Sequence, residues 1–405
     1  SMISVEEALR RLIEPLKPLA AEQVGLAEAF GRVLAEPVIA RRTQPPAALS
    51  AMDGYAVRAA DVAQVPARLR VVGAVPAGQS YDRPLNPGEA VRIFTGAPLP
   101  AGADAIVIQE DTGREGDIVI VREGAPAGRY VRPAGLDFVA GAPGIAAGRR
   151  LTARDIGLAA GMDRPWLMVH RRPRVAILST GDEIVMPGDP IGPNQIVSSN
   201  SLALGAFVVA CGGLPLQLGI APDTPDSVRR LAEGARGADL LVTTGGASVG
   251  EHDLVKDALG VAGLELDFWQ IAMRPGKPLM VGRYRDARMV GLPGNPVSTL
   301  VCALIFLKPA IERLSGLDPV AEPPVTARLA VPLSANDRRQ DYLRATLARA
   351  ADGELEAKPF EKQDSSMMSL LARSDCLVVR APLAPAAKAG ERVTIIPLGG
   401  GLLAL

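Results

Sequence analysis

The chain of 405 residues is poor in aromatic side chains, at 3%, and holds only two histidines and three cysteines. Each shortage removes a class of chemistry. Cys211, Cys302 and Cys376 stand far apart with no C-x-x-C spacing, so neither a zinc ribbon nor a dithiol redox pair is encoded. Their sparse, odd number fits a reducing cytoplasm, and burial as inert thiols is the plain reading. A Ser-His-Asp triad would have to use His170 or His252, and no G-x-S-x-G turn is present. His170 adjoins a basic stretch, 171–174, that reads as a solvated turn. Net charge is absent too. The 44 basic residues balance 44 acidic ones, which argues against a general nucleic-acid binder. The longest apolar run, 297–307, is too short for a bilayer of ~30 Å. The first nine residues carry two glutamates and no apolar stretch, so no signal peptide is read there. The expectation is a soluble cytoplasmic protein with no nucleic-acid or membrane partner.

Glycine and proline are abundant, at 42 and 35 residues, about a fifth of the chain where ~12% is usual. With 48% hydrophobic residues, the excess means turns, short strands and loops where backbone approaches a ligand. At roughly 100–200 residues per domain, the length predicts two to four domains.

Helical apolar spacing runs through Val5, Leu9, Leu12, Ile13 and Leu16, with Ser4 as N-cap and Glu7 completing a capping box. Short β-type runs follow at 55–57, 69–75, 90–94, 105–109 and 118–121, punctuated by Gly, Pro and Asp. A capped helix is predicted at 152–160. The β module 45–141 thus reads as an insertion that splits an N-terminal domain into 1–44 and 142–173. From 174 to 318, strands at 174–179, 216–220, 240–244, 279–281 and 289–291 alternate with helices at 201–211, 226–234, 253–259 and 296–314. That alternation predicts a three-layer α/β/α domain on a mostly parallel sheet, with ligands at the carboxyl ends of its strands. Residues 319–405 return to β texture. The fold class is multidomain α/β plus β.

Four loops of the α/β domain can carry chemistry. Ser179-Thr-Gly-Asp-Glu183 puts two acids after a buried strand, where carboxylate oxygens suit a hard cation. Thr243-Thr-Gly-Gly-Ala-Ser-Val-Gly250 brings glycine amides and a helix N-terminus towards a phosphate. Arg274-Pro-Gly-Lys-Pro278 fixes two cations between prolines, suited to an anion. Gly291-Leu-Pro-Gly-Asn-Pro-Val-Ser298 opens a helix with Pro296 in its first turn. Each loop also has a plainer reading as a tight or solvated turn. Together they predict an enzyme that handles a phosphorylated, strongly anionic small molecule.

Taken in order with Ser50-Ala-Met-Asp-Gly-Tyr-Ala56, Arg92-Ile-Phe-Thr-Gly-Ala97, Gly102-Ala-Asp-Ala105 and Ser199-Asn-Ser201, these motifs resemble the molybdopterin molybdenumtransferase family, MoeA, related to the gephyrin E domain. The resemblance covers nearly the whole chain. It implies a split N-terminal domain, an inserted β-domain, a central molybdopterin-binding domain and a C-terminal β-barrel, assembled as a homodimer. It implies insertion of molybdate into adenylylated molybdopterin, with release of AMP and a requirement for Mg²⁺. Two other activities stay open: a molybdopterin-binding scaffold without turnover, and a molybdopterin adenylyltransferase. A molybdopterin adenylyltransferase and molybdoenzyme apoproteins are the implied partners.

Residue roles follow from the resemblance. Asp53, Thr95 and Asp137 match residues that reach the partner's site. Glu183, Asp223, Asp253 and Lys277 match the remaining catalytic set, and Asp182, Glu183 and Asp253 the Mg²⁺ ligands. Ser179, Thr180, Gly181, Gly245, Gly246, Ser248, Gly250, Pro293, Gly294 and Asn295 match the pterin-phosphate loops. Lys277, Ser298, Arg344 and one or both of Ser365 and Ser366 match an oxyanion site for molybdate. Arg274 stands where a lysine is common, and Glu251 where some relatives have Asp. Leu136, Gln270 and Leu49 also depart from the family pattern.

Overall fold

The computed structural model describes residues 2–245, 249–260, 264–319 and 323–399. Its first helix, Val5–Ile13, begins where Ser4 Oγ accepts a hydrogen bond from the Glu7 amide at 3.0 Å. The predicted capping box does not close. The Glu7 carboxylate instead takes hydrogen bonds from Arg10 and Arg11, because side chains three and four residues on meet it along the helix surface.

Strand Ala21–Gly25 pairs antiparallel with Trp166–His170, and Val38–Ile39 with Pro143–Ile145. One buried cluster joins Leu34 and Val38 to Leu151, Ala159 and Val169, so chain on both sides of the β module builds a single core. Phe138 packs in that core as well. The β module carries a six-stranded mixed sheet in the order Ala105–Ile108, Gly54–Val57, Glu89–Ile93, Ala67–Val75, Ile118–Val121, Thr112–Glu115.

The central sheet contains β1 (Arg174–Thr180), β2 (Leu214–Ala221), β3 (Leu240–Thr244), β4 (Glu265–Gln270), β5 (Pro278–Tyr284) and β6 (Ala287–Leu292), in the order β2-β1-β3-β6-β5-β4. The first four in that order are parallel, β5 runs opposite to them, and edge strand β4 pairs antiparallel with β5. Both faces are covered. Val175 and Ile177 point into one buried cluster, Ala176 and Leu178 into another. A strand buried on both faces reads as a continuous apolar run, as Val175 to Leu178 does. Helices α1 (Asn200–Ala210), α2 (Pro225–Ala232) and α3 (Val249–Leu259) follow β1, β2 and β3. The helix predicted over 296–314 is continuous but passes through a π segment, Ala303–Leu307, between Pro296–Cys302 and Lys308–Leu314. Pro309 has no amide to donate one turn back, and the local widening follows.

The C-terminal strands close a five-stranded barrel. Gln340–Arg349 pairs with Leu355–Pro359, then the ring passes through Val325–Leu329, Arg392–Pro397 and Cys376–Arg380 back to Gln340–Arg349. A two-residue strand, Met273–Arg274, adds in parallel to Gln340–Arg349 and ties the central domain to the barrel. Among the described residues no helix is long and apolar enough to cross a membrane.

All three cysteines are buried. Burial pushes the Cys302 thiol up to about 12 and the Cys211 and Cys376 thiols up to about 11. Thiolate is the reactive form, so all three are expected to stay unmodified by a disulfide-exchange reagent at pH 8. They should react together once denaturant is added. Rapid labelling of the native protein, read by mass spectrometry, would contradict this.

Candidate active site

Strands β1, β3 and β6 end side by side, with Ser179 opposite Thr244 and Thr244 opposite Leu292. A cavity of about 660 Å³ opens at these ends, a size suited to a nucleotide- or cofactor-sized ligand. All four glycine- and proline-rich loops contribute. Ser179 and Glu183 come from the first, Thr244 and Gly245 from the second, Arg274 to Pro278 from the third, and Pro293 to Asn295 with Ser298 from the fourth. The barrel adds Arg339, Gln363 and Ser365. A short parallel pair, Ile184–Val185 with Ile196–Val197, brings the apolar side chains of Ile184 and Ile196 to the wall.

Close backbone approach shapes the cavity. Gly245 has φ 87°, and a Cβ there would lie 2.5 Å from the Thr180 carbonyl oxygen. Gly276 has φ 95°, and its Cβ would meet Cys302 Sγ at 2.6 Å. Glycine alone meets both demands.

Asn200 ties the loops together. Its Nδ2 donates to Thr244 Oγ1 at 3.0 Å and to the Gly294 carbonyl at 2.8 Å. Its Oδ1 is buried without a partner among the described residues, as are the hydroxyls of Ser179, Thr180 and Thr243. Buried polar groups are almost always satisfied, and of these four residues Ser179 and Asn200 line the cavity, so their two orphaned atoms mark a place for a polar ligand. Asn200→Ala is expected to lower stability by about 1–3 kcal/mol through the lost bonds. An unchanged urea midpoint would show that Asn200 does not brace the loops.

The cations at the wall differ in their surroundings. Arg274 meets Asp341 at 3.1 Å and Asp337 at 3.3 Å. Burial opposes its charge, but hydrogen bonding and charge from Asp341 and then Asp337 outweigh this and raise its pKa. It is therefore a neutralised cation, where the sequence predicted one open to an anion. The Lys277 side chain has no hydrogen-bond or ion-pair partner among the described residues, while its carbonyl is fixed by the Ile271 amide at 2.6 Å. Asn295 Nδ2 donates to Ser365 Oγ at 3.1 Å, and the Val297 amide to the Ser365 carbonyl at 3.1 Å, which locks the barrel loop onto the start of the Pro296 helix.

Several predicted site residues stand away from the wall. Arg344 is 2% exposed, and its guanidinium donates to the carbonyls of Tyr342 and Gln363. It braces the Gln363 to Ser365 segment from behind. Ser366 Oγ donates to Asp364. Thr180 and Gly181 are buried beneath the first loop. Asp182 and Asp223 form a reciprocal pair: the Asp182 amide donates to the Asp223 carboxylate at 3.3 Å, and the Asp223 amide to Asp182 at 3.0 Å. Asp253 is exposed on α3, whose backbone includes Gly250. Gly246 and Ser248 lie outside the described residues. Asp53, Thr95 and Asp137 line no part of this cavity. Asp53 Oδ1 accepts from the Thr95 amide at 2.9 Å and from its hydroxyl at 3.0 Å. Those bonds, with the charge of Arg92, hold its carboxyl below the usual range.

Asn200, Thr244, Arg339 and Gln363 were not singled out as site residues from the sequence. Asn200 sits in the Ser199-Asn-Ser201 motif, which is a usable signal, whereas Arg339 and Gln363 reach the cavity only through tertiary folding. Among the described residues no three or more His, Cys, Asp or Glu side chains gather as a metal cage. Mg²⁺ seldom needs one, since it takes one or two carboxylates plus phosphate oxygens and water. Glu183 at the cavity wall fits that requirement.

Family models match the chain in three successive stretches. These are the MoeA N-terminal region (domain I and II) over residues 3–162, a probable molybdopterin binding domain over 176–313, and the MoeA C-terminal region (domain IV) over 326–398. The molybdopterin molybdenumtransferase of Nostoc sp. is 38% identical over 88% of this chain and 84% of its own. That of Haemophilus influenzae is 34% identical over 98% of both chains. The crystal structure of the molybdopterin biosynthesis MoeA protein of Pyrococcus horikoshii superposes with a TM-score of 0.84 at 27% identity, covering 98% of this chain and 99% of that one. With a cavity at the carboxyl edge of the matched molybdopterin-binding region, and relatives aligned along nearly its full length, the chain belongs to the MoeA family of molybdopterin molybdenumtransferases.

Proposed function

We propose that the chain inserts molybdate into adenylylated molybdopterin, releasing AMP and leaving the molybdenum cofactor. One juxtaposition supports this most. Lys277 lines one cavity together with Ser179, Ser298 and Ser365. Molybdate is a tetrahedral dianion, and an ammonium with several hydroxyl donors binds such an ion through charge-assisted hydrogen bonds.

The chain's own groups then have simple tasks. Gly245 and Gly294 let backbone come close to the pterin phosphate, and Asn200 keeps their loops in register. Lys277 disperses charge as the pyrophosphate P–O bond breaks and AMP leaves. A molybdate or water oxygen attacks phosphorus, so no activated Ser, Cys or His is required. Glu183 at the cavity wall would hold Mg²⁺ together with phosphate oxygens and water, and the ion when bound would neutralise charge on those oxygens; among the described residues Asp182, paired with Asp223, and Asp253 do not gather with it as the resemblance implies. Asp53, Thr95 and Asp137 of one copy would complete the cavity of a second copy in a homodimer. The protein would work in the cytoplasm between a molybdopterin adenylyltransferase and the molybdoenzyme apoproteins.

The test is turnover with adenylylated molybdopterin, molybdate and Mg²⁺. The expected result is AMP release that depends on molybdate and consumes no ATP. Tight pterin binding without AMP would indicate a scaffold, and ATP consumption with free molybdopterin an adenylyltransferase. Sedimentation as a monomer would remove the shared-site part of the proposal.

A further inference from the structure

Two arginines at the cavity wall, Arg274 and Arg339, share one carboxylate. Asp337 Oδ2 lies 3.3 Å from Arg274 Nη1 and 3.3 Å from Arg339 Nη2. The two guanidiniums are not equivalent. Arg274 is held a second time by Asp341 at 3.1 Å, and its backbone is strand-paired with that residue. The Arg339 guanidinium has Asp337 as its one partner among the described residues.

Asp337 cannot follow a departing arginine. Its Oδ1 accepts from the Arg339 amide at 2.8 Å, and its carbonyl from the Leu383 amide at 2.7 Å. Neighbouring Asn336 donates to the carbonyls of Arg339 and Ala381 at 2.7 and 2.9 Å. The loop is pinned, so the carboxylate stays where it is. The hydrogen bond from the Arg339 amide, above all, holds its pKa below the usual value and keeps it charged. The side chains of Arg339 and Asp337 are 35% and 48% exposed, and ion pairs of that kind are weak. A dianion in the cavity offers more charge to a guanidinium than one carboxylate does, together with a bidentate geometry.

We infer that Arg339 is a further anion-binding residue of the cavity and that Asp337 is its competing counter-ion. A doubly charged tetrahedral oxyanion draws the Arg339 guanidinium away from Asp337, while Arg274 stays anchored by Asp341. Asp337 therefore limits how tightly the cavity holds an anion and eases its release. The inference rests on the anion-binding reading given above.

Calorimetric titration of the full chain with molybdate, and separately with inorganic phosphate, tests it at low salt. Asp337→Asn keeps an oxygen to accept from the Arg339 amide and replaces the charged oxygen that faces both arginines with an amide nitrogen that cannot accept from them. It is expected to tighten binding about fivefold, the upper range for a partly exposed ion pair. Arg339→Ala is expected to weaken binding by a similar factor, Arg339→Lys to restore part of it, and Asp337→Asn to have no effect once Arg339 is alanine. Unchanged affinity in Arg339→Ala overturns the inference, as does tightening by Asp337→Asn that persists without Arg339. Lys277→Ala separates the two levels. If it too leaves affinity unchanged, the cavity is not the anion site. If it weakens binding while Arg339→Ala does not, only the role of Arg339 falls.

Discussion

Lys277→Ala is expected to lower molybdate-dependent AMP release by about 10²- to 10³-fold, the usual cost of removing a group that stabilises developing charge in a closed site. The unfolding midpoint should stay where it is. The ammonium has no partner among the described residues, so its removal breaks no ion pair and leaves no buried group unsatisfied. The backbone is held independently by the Ile271 amide bonded to the Lys277 carbonyl. Gly276 keeps its place against Cys302 whatever side chain follows it. Loss of turnover without loss of stability would therefore report charge alone. Lys277→Arg should recover only part of the rate, since a planar fork does not occupy the position of a compact ammonium. Turnover equal to wild type in Lys277→Ala would remove the anion site from this wall of the cavity.

Arg274 shows where reading the sequence stops. Its flanking prolines and the following Lys277 suggest a pair of cations open to an anion. The carboxylates that occupy it come from Asp337 and Asp341, 63 and 67 residues further on, and no local pattern announces such a pairing. Arg339 and Gln363 escape notice for the same reason, because the closure of the barrel carries them to the cavity. The strand Met273–Arg274 is invisible too, since two residues carry no periodicity. By contrast, β1 and β3 are legible because a strand buried on both faces needs an unbroken apolar run. Their glycine-rich loops are legible because tight backbone contact needs glycine. Edge strand β4 went unpredicted. Its run Glu265 to Gln270 mixes charged and apolar residues, as an edge pairing on one side only permits. Arg344 matches the family motif in sequence, yet its guanidinium is spent on two backbone carbonyls behind the wall.

Gly245→Ala is expected to cost about 2–4 kcal/mol and to abolish measurable turnover. Two separate terms contribute. At φ 87° an L-residue loses about 1–2 kcal/mol relative to glycine. The second term is contact: the added methyl would sit 2.5 Å from the Thr180 carbonyl oxygen. That oxygen belongs to backbone at the end of β1, so relief requires β1 and β3 to part at the cavity. Gly294 lies against Gly245, with 3.4 Å from its ideal Cβ to the Gly245 Cα, so a shift there is passed to the loop that carries Asn295 and Ser298. Gly188→Ala is the matched control. Gly188 has the same φ of 87° and nothing within 4 Å of its Cβ position. It carries the conformational term without the contact, so it should cost about 1–2 kcal/mol and leave AMP release intact. Urea unfolding of both variants, alongside turnover, separates the terms. Equal losses of stability, with activity kept in both, would mean that the close approach of β1 and β3 does not shape the site.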